Sequence, residues 1–384
     1  MRLVLFTLLA ATLVAAGAPP ELSRDRPAGE LEVVHTFDKD MPTGVTVSKT
    51  GRIFLTFPRW GDPAEMNVGE LKDGKVVPFP NAEWNTLDTN RPAECLCTVQ
   101  SAIVDPLDRL WLCDTGTVNM GPVIPGGAKM ICVDLATDKI VKQFPLGEPG
   151  VLKTTYLNDL RFDLRKGKEG VAYITDSSGN GPNGIVVVDL ATGKTWRRLH
   201  DHPSTKAEKN FMPVVEGRVM MEKPKPDAPP KHLGMGTDGI ALSNDGEKLY
   251  YCPLASRRLY SVSAEALADS EQSDKQVAAT VQDLGDRGFA SDGLEFDAEG
   301  RLYLTDYEHN SVLRRTPDGM YETVVHDPRA LWPDTLSVAH DGYLYFTANQ
   351  LHRQPRFQAG KDERERPFVL FKAKVDARPV MLKK

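Results

Sequence analysis

The sequence predicts an all-β fold, a six-bladed β-propeller whose N-terminal strand closes the last blade. Three observations carry this. One hairpin pattern occurs six times along the chain. The copies are spaced widely enough to hold about two more strands each, which makes a four-stranded unit of propeller-blade size. One strand-like segment is left over at the N-terminal side, Leu31–Phe37, and another ends the chain, Pro367–Val375.

The pattern is clearest in Ala290–Asp306. Leu294 and Phe296 alternate with polar neighbours, Gly300 supplies the turn, and Leu302 and Leu304 alternate again, as two antiparallel strands require. Relatives begin at Pro42, Gln100, Asn158, Thr237 and Pro333. With Thr43, Ser101, Asp159, Asp238, Asp292 and Asp334 taken as equivalent, the steps are 58, 58, 79, 54 and 42 residues. Further strand pairs fit between them, such as Lys129–Leu135 with Ile140–Phe144. A β-helix needs shorter, more even repeats, and paired sandwiches do not account for six copies of one hairpin. Closing the ring removes exposed sheet edges, so Leu31–Phe37 and Pro367–Val375 are expected to share blade six.

Composition sets the class. Of 384 residues, 41% are hydrophobic and 26% charged, and the net charge of −6 comes without any basic block, which argues against nucleic-acid binding. Arg2, the apolar run from Leu3 to Ala16 and the small residues Ala16-Gly17-Ala18 read as a signal peptide over residues 1–18, ahead of one domain over 19–384. That run is too short to span a membrane, and no later stretch is apolar enough. The expectation is a secreted or periplasmic monomer with a small-molecule ligand. Of five cysteines, Cys95, Cys97, Cys113 and Cys132 fall in the second blade. Cys113 and Cys132 lie in consecutive strands, where a bridge is conceivable, although spacing does not fix pairing.

Two connections exceed the period. Residues 203–234, between blades three and four, include the solvated run Lys223–Pro230 and an extra β pair within Met212–Met221. Residues Leu351–Arg366 are polar. Loops of this length are either solvated surface or lids over a binding site.

In a blade the innermost strand lines the channel and the second returns beside it. The start of the first and the end of the second therefore lie at one mouth. The inner positions there are Thr43, Ser101, Asn158 with Asp159, Asp238, Asp292 and Asp334. The outer ones include Arg59, Trp60, Asp114, Asp176, Asp306, Tyr307, His309, Asn349 and His352. Converging carboxylates repel unless neutralised. A hard divalent cation such as Ca²⁺, proton sharing, or bonds to backbone N–H groups at each strand start are the three remedies. No Gly-x-Ser-x-Gly elbow or His-Glu-x-x-His helix occurs, so nucleophilic serine and zinc-helix chemistry lack local support.

The chain resembles the major royal jelly protein / Yellow family. The resemblance rests on Phe57-Pro-Arg-Trp60, Val104–Gly116, Asn158-Asp-Leu160, Ala172–Asp176, Gly184–Leu190 with Trp196, Gly239–Ser243 and Ala348–Leu351. It implies a secreted six-bladed propeller with a small-molecule pocket at one end of the channel, in a family associated with aromatic-amine binding and dopachrome conversion. More distantly the chain is similar to the gluconolactonase / regucalcin family, in which a Glu, two Asn and an Asp surround a divalent cation. That likeness implies Asn158, Asp238 and Asp292 as metal ligands. Thr43 stands in place of the Glu, leaving Asp334 or Asp159 to supply charge.

Three functions follow as expectations. A small-molecule binder would meet an amine with Asp238, Asp292 or Asp334 and stack it on Trp60 or Tyr307, with Arg59, Asn158 and Asn349 in the same mouth. A metal-dependent lactonase or esterase would polarise its carbonyl with the cation, with Asp159 or His309 moving protons. A dopachrome-type isomerase would use the same carboxylates as bases.

Overall fold

A computed structural model of the chain describes residues 26–62 and 64–384; the signal peptide expected over 1–18 lies outside the described residues. Six four-stranded antiparallel sheets follow one another, each ordered from channel to rim. Blade one is Val45–Val47, Ile53–Thr56, Val68–Lys72 and Lys75–Pro78. The innermost strands of blades two to five are Val99–Val104, Leu157–Asp163, Thr237–Leu242 and Leu294–Phe296. Blade six is Pro333–Val338, Tyr343–Ala348 and Phe368–Lys374, with Leu31–Phe37 outermost, Leu31 opposite Ala373 and Phe37 opposite Phe368. The expected closure of the ring is therefore what the chain adopts. Each innermost strand touches that of the next blade, and blade six touches blade one.

The strand patterns follow from this layering. Second strands such as Arg109–Asp114 and Val171–Asp176 are packed by neighbouring blades on both faces, and so read as continuous apolar runs. Trp111, Phe162, Ile174 and Val186 form one such interblade layer. The outermost strand Lys139–Pro145 has one wet face and alternates instead.

Two sequence features set the channel. Buried threonines near the ends of second strands reach to the next blade. Thr56, Thr175 and Thr347 donate to the carbonyls of Gln100, Asp238 and Thr43 at 3.1, 2.7 and 2.6 Å. Beside them Gly239 and Gly293 admit the neighbouring strand, because a Cβ there would collide with the carbonyl oxygens of Asp292 and Asp334. The glycines after Asp238 and Asp292 thus serve close approach rather than a turn.

All five cysteines are free and buried. In the register of blade two, Cys113 faces Met130 and Cys132 faces Trp111. The two thiols are diagonal neighbours, a separation of about 7 Å that no disulfide spans.

The long connections both rise from the end where the innermost strands begin, here the upper mouth. The first carries the expected hairpin, Val214–Val215 with Arg218–Val219, and a loop closed by the Glu222–Lys231 bridge, so Lys223–Pro230 turns back on itself. The second opens with a turn of 3₁₀ helix, Leu351–Arg353. Glu216 at the hairpin tip ties them together. It meets His352 Nε2 at 2.6 Å and the Arg353 guanidinium at 2.6 and 2.8 Å. Phe211, Val215, Met220, Leu351 and Phe357 pack with Tyr307 and Trp332 beneath, which makes the two connections a roof with its own apolar core. At the lower end the C-terminal tail runs back under the ring, with Pro379 bridging Asp297 and the Leu382 carbonyl accepting from Leu164 N–H.

Candidate functional site: a carboxylate ring in the channel

The innermost strands carry a β-bulge at one repeated place, after Val99, Leu157, Thr237 and Pro333. The residue that follows each of these is Gln100, Asn158, Asp238 and Asp334. Gln100 and Asn158 are therefore in register with the acids of blades four to six, whereas Ser101 and Asp159 occupy the next position, where blades four and five have glycine. This corrects the equivalence drawn from the repeat alone; the bulge adds a residue that pattern matching absorbs silently. The ring is Thr43, Gln100, Asn158, Asp238, Asp292 and Asp334, every member less than a tenth exposed.

Blades four, five and six thus place three carboxylates side by side, with Asp159 close by. Asp292 Oδ2 accepts from Trp332 Nε1 at 2.7 Å, and Asp334 Oδ2 from Asn349 Nδ2 at 2.7 Å. These bonds are to side chains, so the expectation that backbone N–H groups satisfy these carboxylates does not describe the ring. Burial is the main force on their ionisation. It pushes Asp292 up to about 7, helped by Asp159 and opposed by the Trp332 and Asp238 hydrogen bonds. Burial and then the charges of their acidic neighbours raise Asp238 and Asp334 well above the carboxylate range. Asp159 is raised by burial and held back by Arg161 and a Ser101 hydrogen bond. Among the described residues, no lysine or arginine stands among the main influences on Asp238, Asp292 or Asp334.

Trp332 is the structural support that sequence reasoning missed. It is fully buried at φ 58°, a left-handed conformation costly for so bulky a side chain. Its ring stacks on Tyr307 at 4.1 Å and on His352 at 6.0 Å. Tyr307, itself fully buried, gives its hydroxyl to the Leu254 carbonyl, so it backs Trp332 rather than presenting a face to a ligand. A second chain runs from Trp60 Nε1 to Tyr156 Oη at 2.5 Å and on to Gln100 Oε1 at 2.9 Å. Asn158 Nδ2 donates to Ser177 Oγ at 2.9 Å. Tyr156 and Ser177 also line a cleft of about 230 Å³ on the upper face, with Met120, Pro122 and Lys153.

Other expected residues lie elsewhere. Arg59 spends its guanidinium on the carbonyls of Asn85, Leu96 and Cys97. Asp114 and Asp176 bind backbone N–H groups ahead of the innermost strands, together with Lys129 and Arg197. His309 is exposed, and its imidazole Nδ1 pairs with Asp306 rather than with a channel acid. Asn349 joins the ring through Asp334. Among the described residues no three His, Cys, Asp or Glu side chains are grouped to hold a metal ion.

A six-bladed propeller with a roofed, carboxylate-lined channel is the class of protein that this geometry defines. The model of the family described as "Major royal jelly protein" matches residues 97–381, and the chain belongs to that family. It is 27% identical to protein yellow of Drosophila melanogaster over 253 residues, 62% of this chain and 43% of that protein. It is 26% identical to major royal jelly protein 7 of Apis mellifera over 245 residues, 61% and 51% of the two chains. The chain thus spans about half the length of these relatives or less. Among solved structures, the calcium-binding protein regucalcin of Agrobacterium tumefaciens superposes with a TM-score of 0.54 at 14% identity, covering 90% of this chain and 95% of that one. A putative gluconolactonase superposes at 0.56 and 11%, covering 91% and 93%. At such identities these two show the fold alone. No helix among the described residues is long and apolar enough to cross a membrane.

Proposed function

We propose that the chain is an exported receptor for a small organic cation, an aromatic or catechol-type amine, bound at the carboxylate ring. The observation that carries this is the acidity there: Asp238, Asp292 and Asp334 are buried together, and among the described residues none of them shares an ion pair with a basic side chain. A primary ammonium supplies the missing charge and three donors, so its binding returns the cost of the repulsion. The ligand enters by the Met120–Tyr156–Ser177 cleft, and its ring lies against Trp60 and Tyr156. Export rests on the signal-peptide pattern of residues 1–18.

The same three acids suit dopachrome-type isomerisation, which moves a proton within the substrate and needs no oxidant. Asp292, poised near neutrality beside Asp238, has the ionisation a general base or acid needs. The second reading is a divalent-metal lactonase or esterase, favoured by one observation. Asn158 stands in register with Asp238 and Asp292, giving the mix of amide and carboxylate oxygens that a hard cation takes. Bound there, the cation would polarise a carbonyl and acidify a water.

Calorimetry of EDTA-treated protein with tyramine and dopamine tests the first reading. Asp238→Asn is expected to weaken amine binding by about tenfold or more, the value of one charged hydrogen bond. Equal affinity in the variant removes the ring as the amine site. Binding restored only by Ca²⁺ moves the assignment to the metal reading.

A further inference from the structure

A cavity lies at the other end of the channel, below the ring. Arg161 crosses the channel from blade three to blade five, donating to the carbonyls of Leu160 and Leu294 and pairing with Glu295 at 2.9 Å. Beneath it lies a cavity of about 100 Å³, lined by Thr46, Lys49, Ser337, His340 and the tail segment 379–382, with Arg161 and Glu295 on its inner wall. At about 30 Å³ per water this admits roughly three waters or one small carboxylate. Arg161 is 6% exposed, and its Nε has no hydrogen-bond partner. A guanidinium N–H left unpaired inside a protein is costly unless a ligand or water completes it.

The rim of this lower mouth is basic. Burial, and then the charges of Arg378, Lys49 and Lys383, hold the His340 imidazole below its ordinary range, with Asp108 opposing them. On the inner wall the charge of Glu295 is already matched by Arg161. Asp105, also in the lining, is committed to Arg109 and to Trp111 Nε1. Asp108, also in the lining, accepts from the Lys49 backbone N–H at 2.7 Å and offsets one charge of Lys49, Arg378 and Lys383, so the surplus around the mouth is positive.

We infer that the lower mouth is a binding site for a small carboxylate anion, held between Lys49, His340 and the open Nε of Arg161 beneath the C-terminal tail. The site serves a different ligand from the amine ring, and its failure would leave that ring untouched.

Acetate is the probe, titrated at constant ionic strength against chloride while the His340 ring signals are followed by NMR. Saturable shifts are expected, with the His340 midpoint raised by about half a unit, because a bound anion favours the imidazolium. Lys49→Ala, at an exposed position, is expected to weaken acetate roughly two- to fivefold. Arg161→Lys keeps the charge but removes Nε–H, and is expected to weaken acetate while the circular dichroism stays unchanged. Shifts that match chloride and do not saturate overturn the site, as does an acetate affinity unaltered in both variants.

Discussion

Asp292 is held against its own preference. It is buried among like charges, and its ionisation is deferred to about 7. A carboxyl whose folded value is raised above the unfolded one stabilises fully below the unfolded value, near 4, and loses that contribution as pH rises to 7 and beyond. Asp292→Asn keeps an acceptor for Trp332 and removes the charge. It is expected to melt higher than the parent at pH 8, by on the order of 2 kcal/mol, with the gap closing towards pH 4. Scanning calorimetry across that range checks it; a gap that grows on acidification is the contrary result. The same variant should lose the amine, so stability and binding trade against each other at this residue. The acids of the ring were legible in the sequence because they recur at strand starts. Gln100 was not, since a bulge hides one residue of register, and Trp332 was not, since it stands one residue ahead of the repeat. The cross-blade threonines were present in the repeat as Thr56, Thr175 and Thr347, and their recurrence near the ends of second strands was the signal that could have found them.

Among the elements, the roof hairpin is the one whose attachment is most specific. Glu216 takes the fork of Arg353 and the Nε2 of His352, and this pairing, led by the Arg353 hydrogen bond, draws its carboxyl down to about 2. Val214 N–H is anchored on Glu308 of blade five, which Arg257 also holds. Glu216→Ala is expected to free the tip while leaving the blades folded. Hydrogen exchange in residues 212–222 should quicken by about tenfold, and amine dissociation should accelerate with it. Unchanged exchange there would show that the apolar contacts of Val215 and Met220 hold the hairpin without the latch. The sequence located both long connections and the hairpin within the first. It gave no sign that they meet, because the Glu216–His352 contact joins residues far apart in the chain with no shared pattern.

For the whole molecule, closure is the dominant fact, and six repeats with a spare strand at either end were enough to foresee it. The closing strand brings Phe37 into the same apolar cluster as Phe57, Tyr307 and Trp332, so sealing the ring and supporting the site draw on one core. Phe37→Ala is expected to cost about 3–5 kcal/mol, the range for a buried phenylalanine. It should lower the denaturation midpoint as a single transition, measured by fluorescence and circular dichroism together. Two separated transitions would show that blade six melts independently. Timing is a consequence of the same closure. Leu31 is made long before its partner Ala373. Until both are present every partial ring has two open edges and no native neighbour for its first strand. A nascent chain so arranged cannot close its ring until both strands of that pair have been made.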